Sequence, residues 1–177
     1  AVGDMTLSGA ELQTITAVDL TIGSVDNDFL DGVQSNITSA TITNVTSANS
    51  ANIAGILTLN ANTNAASTVA FTGTNTFNGL TINTSNGITT GGATVADGIS
   101  DGDVTTGSLI LNTTDGDINA AANPFSAVAA LTLNAPGGNV TSSDLTGDPI
   151  AVTTQAGGTV TLSSDINGGA GGVSFLS

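Results

Sequence analysis

Lysine, arginine and histidine are all missing from this 177-residue chain, and so are cysteine, tyrosine and tryptophan. Ordinary proteins are about a quarter charged with both signs mixed, which makes the chance loss of every cation over this length roughly a one-in-a-billion event. Selection has excluded positive charge. All side-chain charge sits on fourteen carboxylates, for a formal net charge of −14. With no cation to neutralise a phosphate, the sequence predicts no nucleic-acid partner and no anionic lipid surface. Without cysteine there is neither a disulfide nor a thiolate metal site. No His, Lys, Arg, Tyr or Cys is present to activate a nucleophile or bind an oxyanion, so the expectation is that the chain is not an enzyme. An isopeptide crosslink through lysine is excluded on the same ground.

Long apolar runs are also missing. None approaches the ~18 residues needed to cross a bilayer, so membrane insertion is not expected. The chain opens at Ala1-Val2-Gly3-Asp4 with neither a basic stretch nor an apolar leader, and reads as a mature product or an excised segment.

What is present argues against disorder. Hydrophobic residues make up 39% of the chain, mean hydropathy is +0.30, and Gly32 to Ala96 carries no charged side chain. Such a stretch must bury its apolar groups or aggregate. Five Phe are the only aromatics, so the core has to be filled by Leu, Ile, Val and Ala in thin layers.

One motif recurs. Leu57-Thr58-Leu59-Asn60, Leu80-Thr81-Ile82-Asn83, Leu109-Ile110-Leu111-Asn112 and Leu131-Thr132-Leu133-Asn134 are near-copies. Weaker ones begin at Met5, Leu20, Ala40 and Val160, and the eight markers are spaced by about 22 residues on average, the period of a solenoid with one repeat per coil. Within a tetrad the apolar positions alternate with Thr and Asn, as a half-buried strand requires. Further alternating runs, Ser67 to Phe71 and Ile150 to Thr154, supply other strands of each coil. Asn-Gly and Asp-Gly pairs mark the corners at Asp31, Asn78, Asn86, Asp97, Asp101, Asp115 and Asn167, where the glycines are expected to supply positive φ.

The predicted fold class is therefore all-β: a single-chain parallel β-helix, or β-solenoid, of roughly eight coils with about 22 residues per coil. It occupies residues 1–177 as one continuous segment, part of a longer chain or filament. The runner-up is a β-sandwich or jelly roll, in which the same Asn-Gly and Asp-Gly pairs would be hairpin turns. Helix is nearly excluded, because Gly, Thr, Asn and Ser dominate and no segment holds a 3.6-residue apolar period.

Candidate sites follow from the same pattern. Stacked tetrads would align Asn60, Asn83, Asn112 and Asn134 in a column at ~4.8 Å intervals, a structural ladder of amides. Asp97, Asp101 and Asp103 form the favoured Ca²⁺ candidate, since hard cations take clustered carboxylates in flexible loops; Asp26, Asp28 and Asp31 form a second cluster. No other cofactor is expected. Asp also belongs beside Gly in turns, and neither cluster matches an EF-hand loop or a calcium β-roll repeat. Asp101 with Asp103, or Asp115 with Asp117, would be the acid–base pairs of a glycosidase-like site, but binding acidic sugars would need cations the chain lacks. Five Asn-x-Ser/Thr sequons, at Asn36, Asn44, Asn83, Asn112 and Asn139, are about what the composition yields by itself. Outward Thr ranks, as in Thr72-Gly73-Thr74-Asn75-Thr76, are similar to the faces of Thr-rich ice-binding β-solenoids, although unequal tetrad spacing speaks against a regular array.

The run Met5-Thr6-Leu7-Ser8-Gly9-Ala10-Glu11-Leu12-Gln13-Thr14-Ile15-Thr16-Ala17-Val18-Asp19-Leu20-Thr21-Ile22-Gly23-Ser24 resembles segments of filamentous-haemagglutinin-like large bacterial adhesins, in the phrase S-x-A-E-L-x-x-I-x-A-x-x-L-x-I-G. The match is close over some twenty residues and only stylistic beyond them. The resemblance implies a right-handed β-helical repeat segment, secreted to the cell surface and used in adhesion or as a surface fibre; it carries no catalytic motif. The expected function is thus that of a non-enzymatic extracellular fibre segment. Its partners would be neighbouring copies or flanking repeats of the same fibre, and host or cell-surface glycans or proteins. A self-assembling filament subunit joined through strand edges and an ice-binding solenoid are the alternatives.

Overall fold

Short alternations of Thr with Val, Ile and Leu favour extended chain, and strands make up most of the structure. The computed structural model describes residues 2–23, 36–62, 66–92, 94–96, 107–120 and 123–177. The chain begins with β1 (Val2–Ser8), a one-turn helix α1 (Gly9–Leu12) and β2 (Leu20–Ile22), then repeats that order in β3 (Asn36–Thr43), α2 (Ser47–Ser50) and β4 (Ile56–Ala61). Strand triplets follow: β5 (Thr68–Thr72), β6 (Asn75–Phe77), β7 (Gly79–Thr84), then β8 (Gly87–Thr90), β9 (Thr94–Ala96), β10 (Leu109–Thr113). The next is β11 (Ile118–Asn119), β12 (Phe125–Ala127) and β13 (Leu131–Ala135). The last two are β14 (Val140–Ser142), β15 (Leu145–Thr146), β16 (Ile150–Thr154) and β17 (Val160–Leu162), β18 (Ile166–Asn167), β19 (Val173–Leu176).

Each triplet stacks on the next. First members form the sheet β1-β3-β5-β8-β11-β14-β17, third members the sheet β2-β4-β7-β10-β13-β16-β19, and second members β6-β9-β12-β15-β18. Every strand pairing is parallel. The antiparallel pairing of a sandwich or jelly roll occurs nowhere among the described residues. At ~4.8 Å per strand, a seven-stranded sheet extends about 30 Å along the stacking direction.

The four strong tetrads stack in register. Leu57, Leu80, Leu109 and Leu131 are successive partners, and so are Asn60, Asn83, Asn112 and Asn134. Leu20 precedes the leucine column and Ile150 and Val173 follow it, at offsets of 37, 23, 29, 22, 19 and 23 residues. The eight markers do not share one sheet, however. Met5, Ala40 and Val160 lie on the first-member sheet, where Met5 pairs with Ala40 and Val160 with Val140. The short early intervals therefore alternate between two sides of the chain, and the marker average falls below the true offsets.

Inward positions fill the core in columns. Leu57, Leu80, Leu109 and Leu131 are at most 2% exposed, and Leu59, Ile82, Leu111 and Leu133 are wholly buried. Across from them Ala40, Val69, Ile88, Ile118 and Val140 form the facing column, linked through consecutive registers. Phe71 and Phe77 meet edge-to-face with ring centroids 6.4 Å apart, where two sheets turn into each other.

Two corrections concern the corners. Composition spoke against helix, yet α1 and α2 are each one turn long, closed by a capping box: Ser8 with Glu11, and Thr46 with Asn49. They stack on each other, with Asn49 Nδ2 donating to Gln13 Oε1 at 3.1 Å, and so occupy the side that β6 and its successors take over. The second correction concerns the Asn-Gly and Asp-Gly pairs. Among the described pairs, Gly79, Gly87, Gly116 and Gly168 do not have positive φ; the glycines that do are Gly23, Gly73, Gly157, Gly169 and Gly172. Gly116 is required by close approach instead, since a Cβ there would lie 0.8 Å from the Asn86 carbonyl oxygen one layer away.

Candidate functional site

The outward face of the tetrad sheet carries the amide ladder. Asn83 Nδ2 donates to Asn60 Oδ1 at 2.7 Å, and Asn112 Nδ2 donates to Asn83 Oδ1 at 2.8 Å. Asn60 is buried and the next three are half-buried, so each bond is partly screened from water. Asn134 stands in register with Asn112, but no side-chain bond joins the two. Two of these asparagines, Asn83 and Asn112, head sequons, so their amides already serve the ladder.

Beside the ladder, the first-member sheet presents a second column that sequence spacing concealed. Thr6, Thr41, Ala70, Thr89, Asn119, Thr141 and Thr161 are register partners, all on the outward face. Unequal intervals in sequence thus produce a regular rank in space, because the corners absorb the surplus residues. A shallow depression of about 380 Å³ crosses this face between Thr89 and Asn119 and the corner residues Asp115 and Asp117.

Among the described residues, several carboxylates are occupied by backbone or hydroxyl donors. Asp19 Oδ1 accepts from the Ile56 N–H at 2.8 Å, Asp117 Oδ1 from the Asn139 N–H at 2.7 Å, and Asp144 Oδ1 from the Asp165 N–H at 3.1 Å. Asp148 accepts from the N–H groups of Ala170 and Gly171, and Asp4 from the Ser39 hydroxyl at 2.7 Å. Each of these bonds joins one layer to the next. The chain Asp117–Asn139–Thr159 continues the pattern, with the Thr159 N–H donating to Asn139 Oδ1 at 2.9 Å. In a protein without cations, a carboxylate finds its hydrogen-bond donors on the main chain, on hydroxyls or on side-chain amides. Of these residues only Asp117 stood out in the sequence, as half of an acid–base pair; a place one residue before a strand start, as at Asp19, Asp117 and Asp144, was the available signal.

Among the described residues, two carboxyls are shifted by such contacts. Asp144 is held below the ordinary carboxylate range, first by the Asp165 backbone N–H and then by the Ser143 and Ser164 hydroxyls. Glu11 is lowered by the Ser8 backbone N–H and hydroxyl of its capping box. A carboxyl lowered in the folded state stabilises the fold above its unfolded value and ceases to do so as pH falls through its folded value.

The Ca²⁺ candidates Asp97, Asp101 and Asp103, and the cluster Asp26, Asp28 and Asp31, lie outside the described residues. Of the glycosidase-like pairs, Asp101 with Asp103 lies there too. Asp117 of the other pair is tied to Asn139, while Asp115 is exposed at the neighbouring corner. Among the described residues no three carboxylates come together as a metal site, and no helix is long and apolar enough to cross a membrane. The chain matches no family model, no curated protein and no solved structure.

Asn83 contributes to two ladder bonds, so Asn83→Ala is expected to lower stability by about 1–3 kcal/mol, since the buried Asn60 Oδ1 loses its donor. Asn134→Ala should cost about 0.5 kcal/mol or less; urea unfolding of both variants checks the contrast. For Asp144→Ala, the deficit against the parent chain should be largest at about pH 7 and shrink towards about pH 2, as the parent's carboxylate is protonated. Denaturation midpoints across that range read it out, and a constant deficit would show that the bonds do not depend on charge.

Proposed function

We propose that this chain is a non-enzymatic structural segment of an extracellular bacterial surface fibre or adhesin, folded as a three-sided, right-handed parallel β-helix of seven coils. Right-handedness follows from the rule that a crossover between parallel strands of one sheet is right-handed in ≈ 98% of cases. The coils would average nearer 25 residues than 22, with the surplus in the corners. The observation that carries the reading is the register itself: the Leu and Asn columns run without slippage through β4, β7, β10 and β13, so the backbone ladders are continuous along the axis. A rod of that kind extends, displays and joins. Its partners would be flanking repeats or copies of the fibre, and cell-surface glycans or proteins met by its polar outer faces. The missing basic, thiol and phenol groups support a non-catalytic role, and a polar, cation-free surface suits export.

An ice-binding face is a second reading, favoured by the in-register column from Thr6 to Thr161. Five Thr at ~4.8 Å strand intervals, interrupted by Ala70 and Asn119, would present hydroxyls and methyls to water along this face.

Cryo-electron microscopy of the native assembly is expected to show layers at about 4.8 Å along the fibre axis. Strands running parallel to that axis would overturn the fibre reading. The second reading predicts thermal hysteresis and faceted ice in a concentrated solution; freezing without either eliminates it.

A further inference from the structure

Three Asn-Gly pairs lie in the chain, Asn78-Gly79, Asn86-Gly87 and Asn167-Gly168, and the fold treats their side chains differently. Asn78 is 2% exposed, and its Nδ2 donates to the carbonyls of Ile53 and Ala54. Asn167 is exposed, but its Oδ1 accepts from the Gly169 N–H at 3.3 Å. Asn86 is exposed at the corner between β7 and β8, and among the described residues its side chain has no hydrogen-bond partner. Its main chain is held more firmly: the Asn86 N–H donates to the Ser67 carbonyl at 2.9 Å, and Gly116 of the next layer packs against the Asn86 carbonyl oxygen. With Asp115 and Asp117, Asn86 borders the depression of about 380 Å³.

We propose that Asn86 is a site of covalent self-modification, at which water converts the side-chain amide into a carboxylate and ammonia. The Gly87 main-chain nitrogen attacks Asn86 Cγ. A C–N bond forms, the Cγ–Nδ2 bond breaks, and ammonia leaves with the proton of the Gly87 N–H. Water then opens the resulting five-membered succinimide at either carbonyl, giving aspartate or the isomer whose main chain runs through Cβ and Cγ. The step needs no oxidant, reductant or metal. Glycine at the following position leaves the attacking nitrogen without a side chain to shield it. Only at Asn86 is the amide both in water and free to turn towards that nitrogen. Burial and two donated bonds restrict Asn78 to reaction through local opening of its layer.

Conversion acts on the stack in two ways. It adds one negative charge to the existing fourteen, and places it in the depression that Asp115 and Asp117 already line, in a chain with no side-chain cation. The isomer also lengthens the main chain by one carbon between two fixed points, the bond to Ser67 and the contact with Gly116. Both effects loosen β8 against β5 and β11, and neither reverses, so the change accumulates with the age of the chain. The chemistry is indifferent to whether the chain belongs to a fibre.

Incubation of the intact folded chain in neutral buffer, followed by pepsin digestion and mass spectrometry, tests the assignment; trypsin has no site to cut. The mass gain of an amide-to-acid conversion is expected first at Asn86, roughly tenfold or more faster than at Asn78, and faster than at Asn167. In concentrated urea, where only local sequence counts, the three sites should react at comparable rates. Asn86→Gln should remove the early gain. Asn86→Asp, one of the two products, should lower the urea midpoint at low ionic strength and lower it less in about 1 M NaCl. Three outcomes would overturn the proposal: Asn86 intact in the folded chain once the unfolded chain has fully converted, Asn78 or Asn167 converting at least as fast as Asn86, or an Asn86→Asp midpoint equal to the parent's at low salt.

Discussion

Every layer of this chain depends on register with the layer before it. Parallel strands exchange evenly spaced hydrogen bonds, and a slip of one residue would turn Leu59 and Ile82 outward and bury Thr58 and Thr81. The near-identical tetrads remove that freedom, because each Leu finds a Leu or Ile and each Asn finds an Asn one step along the stack. The amide bonds from Asn83 to Asn60 and from Asn112 to Asn83 form only in the correct alignment, so they specify the register as well as stabilise it. Corner length is left free. Offsets between register partners range from 19 to 37 residues without disturbing the columns.

Lack of cations imposes a second constraint that the corners meet. Fourteen negative charges with nothing to pair would repel one another throughout the stack. Asp19, Asp117, Asp144 and Asp148 instead accept main-chain N–H groups of the following layer, which places each charge where backbone donors would otherwise lack a partner. The carboxylates thus act as short-range connectors between layers even though their long-range effect on one another is unfavourable.

Repetition made the strands legible, and small local motifs hid the rest. The alternation in Leu57–Asn60 and its copies gave strand positions, inward faces and the Asn column directly. What misled the period was that Met5 and Leu20, though similar in sequence, occupy different sheets of one layer. The helices α1 and α2 escaped because composition averages over them, although Ser8-Gly9-Ala10-Glu11 spells the capping pattern; Thr46-Ser47-Ala48-Asn49 makes the same box with Asn in place of the usual Glu or Gln. That first stretch is part of the run that resembles the adhesin phrase, so the most distinctive local sequence marks a corner and not a strand. The demand for glycine at position 116 arises from a carbonyl thirty residues earlier in the chain, and no local reading of a turn contains that distance.

The direction of the hydrogen bonds has a mechanical consequence. They run along the stack, so tension applied between its ends opens one ladder at a time instead of shearing a whole sheet together. Each released layer frees about twenty residues or more, which as extended chain reaches roughly 70 Å, over ten times the ~4.8 Å that the layer occupies when folded. Under load such a rod would lengthen in discrete increments from its ends, with the interior columns intact until their turn comes.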